Sequence, residues 1–135
     1  MKGWKKYLLA LVVIGTLAWI ISTFWIQFAL IQGASMEPSY HNGQLVFLNK
    51  QVKSLQAGDV VAFRSDKPKG ILIKRIAAEP GDTVQIVSGI LYVNDLPVTD
   101  MFGNQEIVFA GIAAEPITLG EGEYFVMGDN VAYSK

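Results

Sequence analysis

Two residues stand out by type and spacing. Ser35 lies in Gln32-Gly33-Ala34-Ser35-Met36-Glu37-Pro38-Ser39, directly after a long apolar segment, and Lys74 lies in Ile71-Leu72-Ile73-Lys74-Arg75-Ile76. A serine hydroxyl attacks well only when a neighbouring base takes its proton. A lysine serves as that base when burial disfavours its charged form and lowers its pKa. Alternate residues of a strand share a face, so Leu72, Lys74 and Ile76 point one way and Ile71, Ile73 and Arg75 the other. The two aliphatic neighbours give Lys74 a reason to be neutral. Taken on its strand alone, Lys74 fits better a surface lysine that lays its stem over an exposed sheet face. Ser35 alone equally fits a turn shaped by Pro38.

Other nucleophile and base pairs are scarce. The 135-residue chain has no cysteine and one histidine, which excludes disulfides and thiolate chemistry and argues against a metal site. His41 sits in the polar turn Tyr40-His41-Asn42-Gly43, with no preceding acid suited to orient it, and reads as a loop residue. The net charge of −1 gives no basic stripe for nucleic acid.

The elements that must position Ser35 and Lys74 begin with the N-terminus. Lys2, Lys5 and Lys6 precede an apolar run from Tyr7 to Ile31, and no charged residue occurs between Lys6 and Glu37. That exceeds the roughly 20 residues a spanning helix needs. The basic cluster is expected to stay cytoplasmic, which places Ser35 and the residues after it on the extracytoplasmic side of a cell membrane. A cleavable signal peptide is the alternative, but the core is too long, and Phe24, Trp25 and Phe28 crowd the place where small residues belong. The helix end falls at Thr23 or near Leu30. Residues 1–31 are thus expected to be a basic stub and single-pass anchor, and residues 32–135 an extracytoplasmic domain.

Beyond Gly33 the pattern changes to short alternating segments. Leu45–Leu48, Val60–Phe63, Ile71–Ile73, Thr83–Val87 and Tyr124–Met127 read as strands. Asn42-Gly43, Gly58-Asp59, Pro80-Gly81-Asp82 and Gly128-Asp129 read as turns between them. Residues 90–98 read as a hairpin turning at Asn94-Asp95. The expected fold is mainly β: an N-terminal transmembrane helix followed by a compact folded sheet or barrel-like domain.

The constellation is more specific than its parts. Ser35-Met36-Glu37-Pro38-Ser39, Gly58-Asp59-Val60-Val61, Lys74-Arg75-Ile76-Ala77-Ala78-Glu79-Pro80-Gly81-Asp82 and Met127-Gly128-Asp129-Asn130 succeed one another behind a single membrane segment. In that order they resemble the conserved boxes of the bacterial type I signal peptidases, over nearly the whole chain. The resemblance implies a membrane serine endopeptidase that cleaves signal peptides from exported preproteins without a cofactor, near the secretion translocon and the lipid bilayer.

Residue by residue, the resemblance implies Ser35 as nucleophile and Lys74 as general base. It makes Ser134 a serine that orients the lysine and Met36 the substrate-lining neighbour of the nucleophile. Gly128 and Asp129 become a supporting box, with Arg75 paired to Asp129. The backbone N–H of Ser35 would donate to the oxyanion. Small substrate side chains at −1 and −3 would fit shallow pockets near Met36 and the Lys74 strand. Eukaryotic-type relatives carry histidine where this chain has Lys74.

Two departures bear on these expectations. Gly33 stands where several members carry an oxyanion-donating serine. The last box continues in the family beyond the point where Ser134-Lys135 closes this sequence, so a C-terminally truncated form is expected, either a fragment or a variant with impaired activity. A catalytically impaired membrane scaffold or assembly factor is the rival reading. A self-cleaving Ser/Lys regulator fits less well, because a membrane helix occupies the place of its regulatory domain.

Overall fold

The computed structural model describes residues 3–103 and 105–132. Helix α1 runs Gly3–Phe24, followed by strands β1 (Ile26–Leu30), β2 (Leu45–Asn49), β3 (Val60–Asp66), β4 (Lys69–Ala78), β5 (Thr83–Val87), β6 (Ile90–Val93), β7 (Leu96–Pro97), β8 (Ile117–Thr118) and β9 (Phe125–Met127), with a short 3-10 turn at Gly111–Ala114 before β8. A spanning-length apolar helix followed by antiparallel strands is the mainly β fold expected from the sequence.

Contacts divide the chain into two units. The first comprises residues 1–30 and 45–53. Its helix α1 is about 33 Å long at 1.5 Å per residue, enough to cross a hydrocarbon core, and none of its residues is buried by protein. Thr16 and Thr23 turn their hydroxyls back onto the carbonyls of Val12 and Trp19, at 2.8 Å each, so neither donor faces apolar surroundings unpaired. The helix stops at Phe24. The aromatic and β-branched residues after it form β1, which pairs antiparallel with β2 from Ile26 opposite Asn49 to Leu30 opposite Leu45. The apolar run read from the sequence therefore contains a helix and then a strand.

The second unit comprises residues 31–44 and 54–135. One of its sheets has the order β3-β4-β9 and the other β7-β6-β5-β8, all neighbours antiparallel. The hairpin β6–β7 turns at Asn94 and Asp95, with φ of 51° and 65°. These residues tolerate the left-handed region that a two-residue turn needs. The main core joins Ala77, Ile86, Leu91, Phe102, Met127 and Val131, with others. A smaller cluster holds Ala78, Val84 and Leu119.

Strand β4 matters most for position. Its outer half is half-buried or exposed, whereas Ile76, Ala77 and Ala78 are fully interior. The register with β9 shifts between Ile76 and Ala78, a bulge that bends the strand just after Lys74 and Arg75. The pair of cations thus sits where β4 leaves the core.

Candidate active site

Lys74 and Arg75 face opposite sides of one strand. Residues directly opposite in an antiparallel pair share a face, and β3 places Val61 opposite Lys74 and Phe63 opposite Leu72. Lys74 therefore shares its face with Leu72, Ile76, Val61 and Phe63, all apolar. Burial pushes its ammonium pKa below the ordinary lysine value, and among the described residues no acid offsets the effect.

Arg75 has the contrary surroundings. Its Nε and Nη2 donate to the two carboxylate oxygens of Asp129 at 2.7 Å each, a bidentate pair, and Nη1 donates to the Gly58 carbonyl at 2.7 Å. The side chains are 21% and 6% exposed. Burial works to raise the Asp129 carboxyl, but hydrogen bonds from Arg75 and Ser39, with the Arg75 charge, hold it below the usual range. Gly128 is buried beside it.

Ser35 is half-buried on a tight turn, in which Glu37 N–H donates to the Ala34 carbonyl and Tyr40 N–H to that of Met36. Met36 is 2% exposed, so its side chain anchors the turn from inside. Two segments fix the turn from different directions. Asn130 donates through its backbone N–H to the Ser35 carbonyl (3.0 Å) and through Nδ2 to the Ala34 carbonyl (3.2 Å). From the other side, Gly33, at φ +88°, donates its N–H to Asn42 Oδ1 at 2.9 Å. Asn130 comes directly after Asp129 in the chain, so the serine turn is tied to the same segment that holds Arg75.

The arrangement brings together Ser35, Asn130, Asp129 and Arg75 through a continuous series of interactions. Lys74 adjoins that series in sequence and points to the other face of β4. Among the described residues, no hydrogen bond joins Ser35 Oγ to Lys74 Nζ. His41 approaches Glu37 only to 4.0 Å on the exposed surface. Ser134 lies outside the described residues. Sequence reading treated Asn42 as a turn residue and gave Asn130 no role. Both are short amides next to glycine or aspartate, and their reach to particular carbonyls and N–H groups is a tertiary fact.

The serine turn is thus tied through Asn130 to the segment whose Asp129 pairs with Arg75, on the strand that also carries Lys74 with its lowered pKa. Known proteins resemble this chain. The family model described as signal peptidase, peptidase S26 matches residues 4–135. Signal peptidase I of Bacillus licheniformis is 33% identical over 94% of this chain and 72% of its own length. Signal peptidase I T of Bacillus subtilis (strain 168) is 34% identical over 94% and 69%. The crystal structure of a signal peptidase I from Enterococcus faecalis V583 superposes with a TM-score of 0.50 at 26% identity, covering 63% of this chain and 85% of that one. The chain belongs to the signal peptidase S26 family, and so to the serine-protease hydrolases.

Proposed function

We propose that this protein is a membrane-anchored endopeptidase that removes signal peptides from exported preproteins, with Ser35 as nucleophile and Lys74 as general base. The observation that carries the reading is the lowered pKa of Lys74 on an apolar strand face, one residue from the Arg75–Asp129 pair whose segment fixes the serine turn. Neutral Lys74 accepts the Ser35 hydroxyl proton as the oxygen attacks the scissile carbonyl. The resulting ammonium returns that proton to the leaving amine, which frees the C-terminal product and leaves an ester on Ser35. Water then attacks the ester, giving a proton to Lys74; as the bond from the acyl carbon to Ser35 Oγ breaks, the ammonium passes that proton to the serine oxygen, so that the signal peptide leaves as a carboxylic acid and both residues are regenerated. In this reading the Ser35 N–H serves the oxyanion; the Gly33 N–H is already engaged by Asn42. Approach of Lys74 to Ser35 belongs to the substrate complex, since catalytic hydrogen bonds tighten there.

Residues 1–31 supply the anchor in this reading, with the N-terminus cytoplasmic, and residues 32–135 the extracytoplasmic peptidase domain. The support is one helix of spanning length among the described residues, with Lys2 before it in sequence and Lys5 and Lys6 in its first turn. Tethering enzyme and preprotein to one bilayer raises the effective concentration of the scissile bond. The test is cleavage of a preprotein by reconstituted protein. Ser35→Ala and Lys74→Ala each abolish it, and His41→Ala does not; full activity of Lys74→Ala defeats the Ser/Lys mechanism.

A further inference from the structure

Asn130 grips the nucleophile's turn at two neighbouring peptides. Its backbone N–H donates to the Ser35 carbonyl at 3.0 Å, and its Nδ2 donates to the Ala34 carbonyl at 3.2 Å, across 96 residues of sequence. The Ala34 carbonyl belongs to the peptide that joins Ala34 to Ser35, and the Ser35 carbonyl to the peptide that joins Ser35 to Met36. A peptide unit is planar, so a bond to its oxygen restrains the whole unit. The two soft dihedrals of Ser35 are rotations between these two planes. One residue therefore restrains the backbone on both sides of the Ser35 side chain.

The side-chain bond acts on the peptide that matters most for charge. In a trans peptide the C=O and N–H point in opposite directions. By holding the Ala34 oxygen, Asn130 aims the Ser35 N–H, the oxyanion donor of the reading above, away from itself. Glu37 N–H donates to the same oxygen at 3.2 Å, so both of its lone pairs are engaged. Hydrogen bonds in series polarise one another, and a peptide that accepts twice at its oxygen donates more strongly at its nitrogen. Among the described residues the bonds of the turn leave the Ser35 N–H open, whereas the Gly33 N–H is taken by Asn42.

Asn130 is itself held on both sides. Asp129 before it is 5% exposed and carries the bidentate pair with Arg75, and Val131 after it is 2% exposed and belongs to the main core. A group that positions another must be fixed by its own neighbours. We infer that Asn130 is a positioning residue for the reaction: its side-chain amide orients and polarises the Ala34–Ser35 peptide so that the Ser35 N–H meets the oxyanion as charge develops. This rests on Ser35 being the nucleophile. Losing a direct oxyanion donor costs about 10²–10³-fold in rate. Losing the bond behind that donor should cost less, about tenfold, the scale of one hydrogen bond.

Preprotein cleavage by the full chain in lipid vesicles tests it, together with the binding of two peptides that carry small residues at −1 and −3. One peptide ends in an aldehyde. Ser35 Oγ adds to its carbon, the hydroxyl proton passes to Lys74, and the aldehyde oxygen becomes the oxyanion. The other ends in the corresponding alcohol and forms no adduct. Asn130→Ala and Asn130→Asp both keep the backbone N–H and remove the side-chain donor. Each is expected to lower kcat per folded protein about tenfold with KM little changed, and to weaken the aldehyde by the same factor while the alcohol binds as before. Equal weakening of both peptides overturns the inference, as does a lower kcat without loss of aldehyde affinity. A loss of activity that only follows the folded fraction in both variants, or full kcat in both, overturns it as well. Ser35→Ala separates this outcome from failure of the underlying reading. If Ser35→Ala still cleaves the preprotein, the nucleophile is wrongly assigned; if it is inactive while Asn130→Ala is fully active, the positioning inference alone fails.

Discussion

Lys74 and Arg75 are consecutive cations on one strand, yet their surroundings drive them in opposite directions. Arg75 meets a carboxylate in a bidentate pair and a backbone carbonyl. Lys74 shares its strand face with Val61, Phe63, Leu72 and Ile76, and burial alone shifts it. The difference teaches that the pleat of a strand, by reversing side-chain direction at each residue, lets a paired cation and a cation disposed to lose its proton stand side by side without competing for one anion. If both faced Asp129, the carboxylate would raise the lysine pKa and hold it protonated.

The largest effect expected is on the chemical side. Ser35→Ala or Lys74→Met should lower kcat for preprotein cleavage by about 10⁴-fold or more while leaving the thermal midpoint near that of the unaltered protein. A matching loss of stability would instead make Lys74 a structural residue. The structural side should break differently. Asp129→Ala leaves Arg75 half-buried without its counter-charge, and removing one partner of such a pair costs about 3–5 kcal/mol. Denaturant unfolding should show that loss, and cleavage should fall with the folded fraction.

Acidity separates the two faces a third time. Asp129 has a depressed pKa, so its contribution to stability is complete above the ordinary carboxylate range and disappears as pH falls through its folded-state value. Lys74 is depressed as well, and for a base this favours the deprotonated form. Cleavage should therefore rise with pH along a limb that lies below the ordinary lysine value of 10.5. A pH–rate profile and a pH series of unfolding curves measure the two limbs, and a basic limb at or above that value would count against Lys74 as the tuned base. The smallest effect is expected at Asn42. Losing its bond to Gly33 in Asn42→Ala should cost about fivefold in kcat with KM little changed, the scale of one hydrogen bond, and Asn42→Asp, which keeps the acceptor oxygen, should restore it.

Much of this arrangement was legible in the chain. The mainly β domain could be read from short alternating segments between glycine-rich turns, and the Asn94-Asp95 hairpin from residues that accept positive φ. Thr83–Val87 was read with the limits it has. The apolar face of Lys74 came from alternation in five residues. Strand β1 was not legible, because Ile26–Leu30 continues the hydropathy of the helix and only pairing with β2 makes it a strand. Nor were Asn130 and Asn42, whose partners lie 96 and nine residues away in sequence.

By itself the sequence determined the chemistry on offer: a serine, a lysine flanked by aliphatic residues, no thiol, one histidine and an apolar helix of spanning length. These are properties of residue type and local period, which the backbone expresses wherever it forms a strand or helix. Tertiary structure decided where α1 yields to β1 and what ties the serine turn in place. Those depend on hydrogen bonds between distant segments, and such bonds exist only once the strands have set their register.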